Sequence, residues 1–172
     1  MSCEIVICPF VATHESQVRE LFIRVNRLLS PPHMLEAFEA YIERSLTQEI
    51  DRIVAYYSER NGGFWVALRE SNVVGMFGLE RIAPDAMELR RMYVDPTARR
   101  CGIGRKMLLH AESECRLRRM KKLELSTSGL QVAALALYKA AGYILIREAV
   151  VEEGDNKTVG GGILRYYFEK AL

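Results

Sequence analysis

The stretch from Met87 to Ser126 constrains the fold more than any other part of the chain. Met87 to Asp95 reads as a strand and Arg99-Arg100-Cys101-Gly102-Ile103-Gly104 as a tight junction. Gly104 to about Met120 then reads as a helix, and Leu123 to Ser126 as a second strand. Strand, helix and strand in direct succession must cross over, which sets the two strands parallel in one sheet. The two glycines let the backbone turn sharply and come close to a ligand. The helix behind them offers unpaired N–H groups and the positive end of its dipole, a site suited to phosphate. Arg99, Arg100 and Arg105 add charge of the matching sign.

The flanking segments complete the order of elements. Glu4 to Phe10 reads as a first strand. Val18, Leu21, Phe22, Val25, Leu28 and Leu29 recur at helical spacing until Ser30-Pro31-Pro32 stops them. Leu35, Phe38, Ile42, Leu46, Ile50, Ile53 and Tyr57 mark a long helix or a broken pair. Phe64 to Arg69 and Val73 to Arg81 flank the turn-prone Glu70-Ser71-Asn72 and should form a hairpin. Gln131 to Ala141 reads as a helix closed by Gly142. Tyr143 to Val151 and Ile163 to Phe168 are the last strands, with Gly160-Gly161-Gly162 a turn or bulge before the second. A mixed, mostly antiparallel sheet with helices on both faces accommodates this order. Residues 1–172 are expected to form a single domain.

Charge and composition exclude several classes. A net charge of +2 does not argue for nucleic acid. Arg116, Arg118, Arg119, Lys121 and Lys122 cluster where a helix ends, and cations there offset the dipole. No apolar run approaches the roughly 18 residues of a membrane span. Met1-Ser2-Cys3-Glu4 lacks the basic start of a signal peptide, so a cytoplasmic location is expected. Cys3, Cys8, Cys101 and Cys115 lack C-x-x-C spacing and read as reduced thiols. With His14, His33 and His110 scattered, no metal is expected.

The glycine junction excludes two common nucleotide loops. Lysine and serine or threonine do not follow at P-loop spacing, and the third glycine of a dinucleotide fingerprint is missing. What remains is R-x-x-G-x-G after a strand reading Glu88-Leu89-Arg90-Arg91-Met92-Tyr93-Val94-Asp95-Pro96. Downstream, Ala134, Leu137, Tyr138 and Gly142 fit an N-x-x-A-x-x-L-Y-x-x-x-G-F pattern, with Gln131 in place of Asn and Tyr143 in place of Phe. Together these resemble the GNAT superfamily of acyl-CoA-dependent N-acyltransferases, closely over residues 80–146 and by element order elsewhere.

The resemblance implies an α/β (α+β) three-layer fold, about seven strands flanked by about four helices. It implies acetyl-CoA as co-substrate, its pyrophosphate on the backbone of Cys101, Gly102, Ile103, Gly104 and Arg105, lined by Arg99 and Arg100. The pantetheine arm would pair with the strand end at Met92, Tyr93 and Val94, and Gln131 would stand near the cofactor. Tyr138 is expected to protonate the departing thiolate, since a phenol and a thiolate are not strongly mismatched. Period-2 alternation would put Glu88, Arg90, Met92 and Val94 on one face, making Glu88 the candidate base. Otherwise Glu88 is a strand-end carboxylate paired with Arg90 or Arg81, and Glu80 is the next candidate. By resemblance, the acceptor site would take Glu36, Glu39, Tyr41, Glu43, Glu152, Glu153 and Asp155 from the first helices and the last hairpin, which would suit a cationic amine. The expected partner is a small-molecule amine, with no nucleic acid and no membrane, and a homodimer stays open. The alternatives are an acetyltransferase of protein N-termini or lysines, and a non-catalytic acyl-CoA sensor.

Overall fold

The structure is a computed structural model that describes residues 4–172, so Cys3 lies outside the described residues. Among the described residues there are seven strands, β1 (Ile5–Pro9), β2 (Gly63–Arg69), β3 (Asn72–Ala83), β4 (Ala86–Val94), β5 (Lys122–Ser128), β6 (Ile144–Val151) and β7 (Ile163–Ala171). They form one sheet in the order β1-β2-β3-β4-β5-β7-β6. Only β4 and β5 run parallel, as the crossover requires; every other neighbouring pair is antiparallel.

Alternation along the strands feeds two cores. On β2 and β3, Trp65 and Phe77 turn toward α4 (Ile103–Leu117), where they meet Met107, Leu108, Ala111 and Cys115. Val66 and Met76 turn the other way, toward α1 (Glu15–Leu29), α2 (Leu35–Gln48) and α3 (Ile53–Glu59). The short α5 (Val132–Ala140) joins the α4 face through the buried Tyr138. The second helical region is thus a broken pair. The break falls at Glu49 (φ −139°, ψ −62°), and a one-turn 3-10 segment at Ile50–Arg52 links the two parts. No proline or glycine causes it; the fully buried Glu49 side chain bonds inward from this corner.

One irregularity in the sheet shapes the site. Met76 pairs with Tyr93 and Gly78 with Arg90, so Phe77 faces two residues, Arg91 and Met92. Arg91 adopts φ 54°, in the left-handed region that a side-chain-bearing residue rarely enters. This is a β-bulge, and one extra residue reverses the alternation beyond it. Met87 and Leu89 face the α4 side before the bulge, and Met92 and Val94 face that side after it. The expected common face of Glu88, Arg90, Met92 and Val94 is therefore corrected. Glu88 and Arg90 lie on the α1–α3 side with Tyr93, and only Met92 and Val94 keep each other's company.

Candidate active site

β4 and β5 are hydrogen-bonded only from Ala86↔Lys122 to Leu89↔Leu125. Beyond Leu89 they part, and among the described residues β4 runs on through the bulge to Val94 with no partner on that side. The Asp95 amide donates to the Val74 carbonyl across on the β3 side at 2.8 Å. Amide direction alternates along a strand, so the N–H groups of Val94 and Met92 point into the open gap.

The glycine junction stands at the end of this gap. Arg100 (φ 68°) and Gly102 (φ 67°) are both left-handed, which turns the chain from the short 3-10 segment at Pro96–Ala98 into α4. No side chain caps α4, and Ile103 is buried, so it offers a ligand only its backbone. A Cβ on Gly102 would meet nothing within 4 Å, so the space above the helix end is open. A Cβ on Gly104 would lie 3.1 Å from Leu137 Cδ2, 3.7 Å from Met92 Cε and 3.9 Å from Val94 Cγ2. The junction, the open strand edge and α5 therefore adjoin. Arg99, Arg100 and Arg105 are exposed around the helix end. An uncapped helix terminus, an open space and a strand edge with free amides fit a phosphate-bearing ligand with an extended amide arm.

A cleft of about 800 Å³, solvent at its mouth included, opens beside the strand edge. Its walls carry Glu88, Met92, Tyr93, Gln131 and Tyr138, so it gathers the two candidate proton-transfer groups and much of the expected cofactor strand. Tyr138 is buried, its ring edge-on to Tyr143 at 5.9 Å and tilted against Phe168 at 6.1 Å. Burial alone pushes its phenol well above the ordinary value, so the proton stays on at any working pH. Gln131 Oε1 accepts a 2.8 Å bond from Thr127 Oγ1, which ties the start of α5 to β5.

Glu88 forms a long ion pair with Arg90, whose Nε is 3.9 Å away. Its closer partner is Lys157, from the β6–β7 connection, at 2.9 Å. The same ammonium reaches Glu80 Oε1 at 2.9 Å. Glu80 also accepts from Arg90 at 2.9 Å and from Tyr56 at 3.2 Å. Burial opposes ionisation of Glu80, but Arg90 and Lys157 outweigh it and hold the carboxyl below its ordinary value.

Beneath this lies a buried ion cluster that no motif announces. Glu49 is fully enclosed and takes two bonds from Arg91 (3.0 and 2.7 Å), one from Arg90 (3.0 Å) and one from the Tyr57 hydroxyl. Burial again works against the carboxylate, and Arg91 and Arg90 reverse the balance. Arg91 also donates to Tyr41 at 2.6 Å, and both arginines donate to the Asn156 carbonyl. The strained bulge residue is thus held by its own side chain, and the same bonds anchor the β6–β7 connection over the cleft. One sequence signal was available. Apolar residues fall at odd positions 87 and 89, then at even positions 92 and 94, and Arg90-Arg91 sits at the switch.

Of the expected acceptor residues, only Tyr41 lines the cleft. Glu36, Glu39, Glu43, Glu152, Glu153 and Asp155 are all exposed; Glu39 pairs with Arg27 at 2.7 Å, and Asp155 caps Lys157 and Thr158 of its own loop. These carboxylates lie outside this cleft, and the charges that face it are Glu88, Arg90, Arg91, Lys157 and Arg165. Among the described residues no group of three or more His, Cys, Asp or Glu could hold a metal, and no helix is long and apolar enough to cross a membrane.

A family profile described as Acetyltransferase (GNAT) family matches residues 22–143. The chain belongs to the GNAT acetyltransferase family. It is an acyl-CoA-dependent N-acetyltransferase with the seven-strand mixed sheet of that fold. An uncharacterised N-acetyltransferase from Escherichia coli, YjgM, is 30% identical over 123 residues, covering 70% of this chain and 72% of that one. The N-acetylaspartate synthetase of Xenopus tropicalis is 35% identical over 109 residues, but these make up only 39% of its length. The PaiA N-acetyltransferase of Thermoplasma acidophilum, solved with coenzyme A, superposes with a TM-score of 0.76 at 20% identity over 98% of this chain and 99% of that one. The likeness of fold thus spans 98% of the chain, beyond the two motifs.

Proposed function

We propose that this GNAT protein moves an acetyl group from acetyl-CoA to the primary amine of a small, amino-acid-like acceptor, by direct attack in a ternary complex. One observation carries the reading: Glu88 and Tyr138 face one cleft beside the open amides of Met92 and Val94. Acetyl-CoA supplies a thioester carbonyl as the electrophile. The backbone at Cys101, Gly102, Ile103, Gly104 and Arg105 holds its pyrophosphate, with Arg99 and Arg100 alongside. An amide at Met92 or Val94 donates to the carbonyl oxygen as charge develops there. Glu88 accepts a proton from the attacking amine, directly or through water, because an alkylamine of pKa roughly 10.4 arrives charged. The C–N bond forms, the nitrogen loses its second proton to water, the C–S bond breaks, and Tyr138 gives its proton to the sulfur; Glu88 then releases its proton to solvent and Tyr138 regains one from it.

Glu80 is a poorer base, because Tyr56, Arg90 and Lys157 occupy its oxygens. A small acceptor suits a cleft walled by Asn26 and Leu29 of α1, Tyr41 of α2 and Lys157 and Thr158 of the β6–β7 connection. The relatives named as N-acetylaspartate synthetases point the same way, since their name implies an acetylated amino acid. The test is a panel of amines with acetyl-CoA, followed by release of free thiol. Turnover on small amines supports the reading; coenzyme A binding with no turnover on any amine would leave a sensor module instead.

A further inference from the structure

We infer that Arg165 binds a carboxylate of the acceptor, so that the substrates are free amino acids rather than polyamines or other purely cationic amines. The inference rests on the proposed acetyl transfer in the same cleft. Most charges that face the cleft already have partners of opposite sign. Arg90 and Arg91 are 4% and 3% exposed and are bound by Glu49 and Glu80. Lys157 is shared between Glu80 and Glu88. Each of these three cations is thus answered by a carboxylate, Glu49, Glu80 or Glu88.

Arg165 is the cation left over. It lies on β7, opposite Ser128 of β5, half-buried in the cleft wall with Ser126, Thr127 and Ser128. Among the described residues it forms no ion pair. One terminal nitrogen donates to Ser126 Oγ at 2.8 Å, which fixes the group without neutralising it. A guanidinium has five N–H donors in a rigid fork, so a planar two-oxygen acceptor can still bind side-on. A half-desolvated cation repels a second cation, which disfavours an acceptor whose only charge is its ammonium. The coenzyme's phosphates are an unsuitable partner for it, since the helix-end residues 99–105 do not line this cleft.

The test pairs amino acids with their α-amides, which lack the α-carboxylate charge. Glycine, L-aspartate and L-methionine are each compared with the α-amide, with putrescine as a cationic control, using thiol release with acetyl-CoA. At least one free acid should exceed its amide by roughly tenfold or more in kcat/KM. In Arg165→Gln that preference should collapse toward one through a rise in the acid's KM, with Arg165→Lys intermediate and the KM for acetyl-CoA unchanged. Direct calorimetric titration of the preferred acid into the protein with coenzyme A gives a readout independent of turnover, and its binding should weaken in parallel. Amides equal to or better than acids, or an undiminished preference in Arg165→Gln, overturns the inference while acetyl transfer stands. A rise in the acetyl-CoA KM alone would instead assign Arg165 to the coenzyme. If Arg165→Gln does not fold, the acid-to-amide ratio of the unaltered protein decides. Coenzyme A binding with no turnover on any amine overturns the proposed acetyl transfer itself.

Discussion

The Lys157 ammonium stands 2.9 Å from the Glu88 carboxylate, so the loop over the cleft holds the group proposed as base. Lys157 has a second carboxylate in Glu80 and keeps its footing without Glu88. Glu88→Gln should therefore lower kcat by about 10²–10⁴ with little change in unfolding temperature or in the KM for acetyl-CoA. Steady-state kinetics beside a thermal melt check this. A kcat within a few-fold of the unaltered protein would move the base elsewhere.

Tyr138→Phe separates chemistry from packing. The ring is packed against Tyr143 and Phe168, and burial is what raises its phenol. Stability should hold while kcat falls by about 10²-fold or more. Since the folded value lies above the ordinary 10, the proton should not be lost below pH 10. A pH profile of kcat should show no descending limb from this residue in that range.

Gly102→Ala tests the helix end. The position needs φ 67°, and an added methyl would enter open space rather than the core. The backbone cost is about 1–2 kcal/mol, visible as a modest drop in unfolding temperature. The larger effect should be on the KM for acetyl-CoA, because the methyl would stand where the pyrophosphate is proposed to lie. An unchanged KM would separate this loop from the coenzyme.

The buried cluster should make the fold acid-sensitive. Glu49 and Glu80 both sit below their ordinary value of 4.5 in the folded protein. Depressed carboxylates contribute stability that is present above pH 4.5 and is lost as pH falls through their folded values. Melts from pH 6 to pH 3 should show this, and Glu49→Gln should flatten the slope. Glu49→Ala leaves Arg90 and Arg91 buried and poorly paired, at a cost of about 3–5 kcal/mol. It should also relax the bulge at Arg91 and reduce turnover.

The crossover unit, its glycine junction and the Leu137-Tyr138 helix were legible in the sequence, because each rests on local periodicity and turn chemistry. So was the family, since the two motifs lie in register. The bulge was not read, because strict alternation was extended through Arg90-Arg91 although the apolar residues change parity there. Glu49 was invisible for a different reason. Its arginine partners lie 41 and 42 positions away, and nothing near Glu49 marks it as buried. Where the acidic residues of α2 and the last hairpin point was not legible, because charge in a sequence carries no direction. On the folded chain they face outward, while Arg165, one charge in an ordinary strand, faces the cleft.

A crystal structure with coenzyme A bound tests the placement of the chemistry most directly. The sulfur should lie in the gap beyond Leu89↔Leu125, near Tyr138, with the arm bonded to the amides of Met92 or Val94 and the pyrophosphate over Gly102 to Arg105. A coenzyme whose sulfur sits away from both Tyr138 and Glu88, or whose phosphates avoid the start of α4, would contradict the proposed acid, base and cradle together.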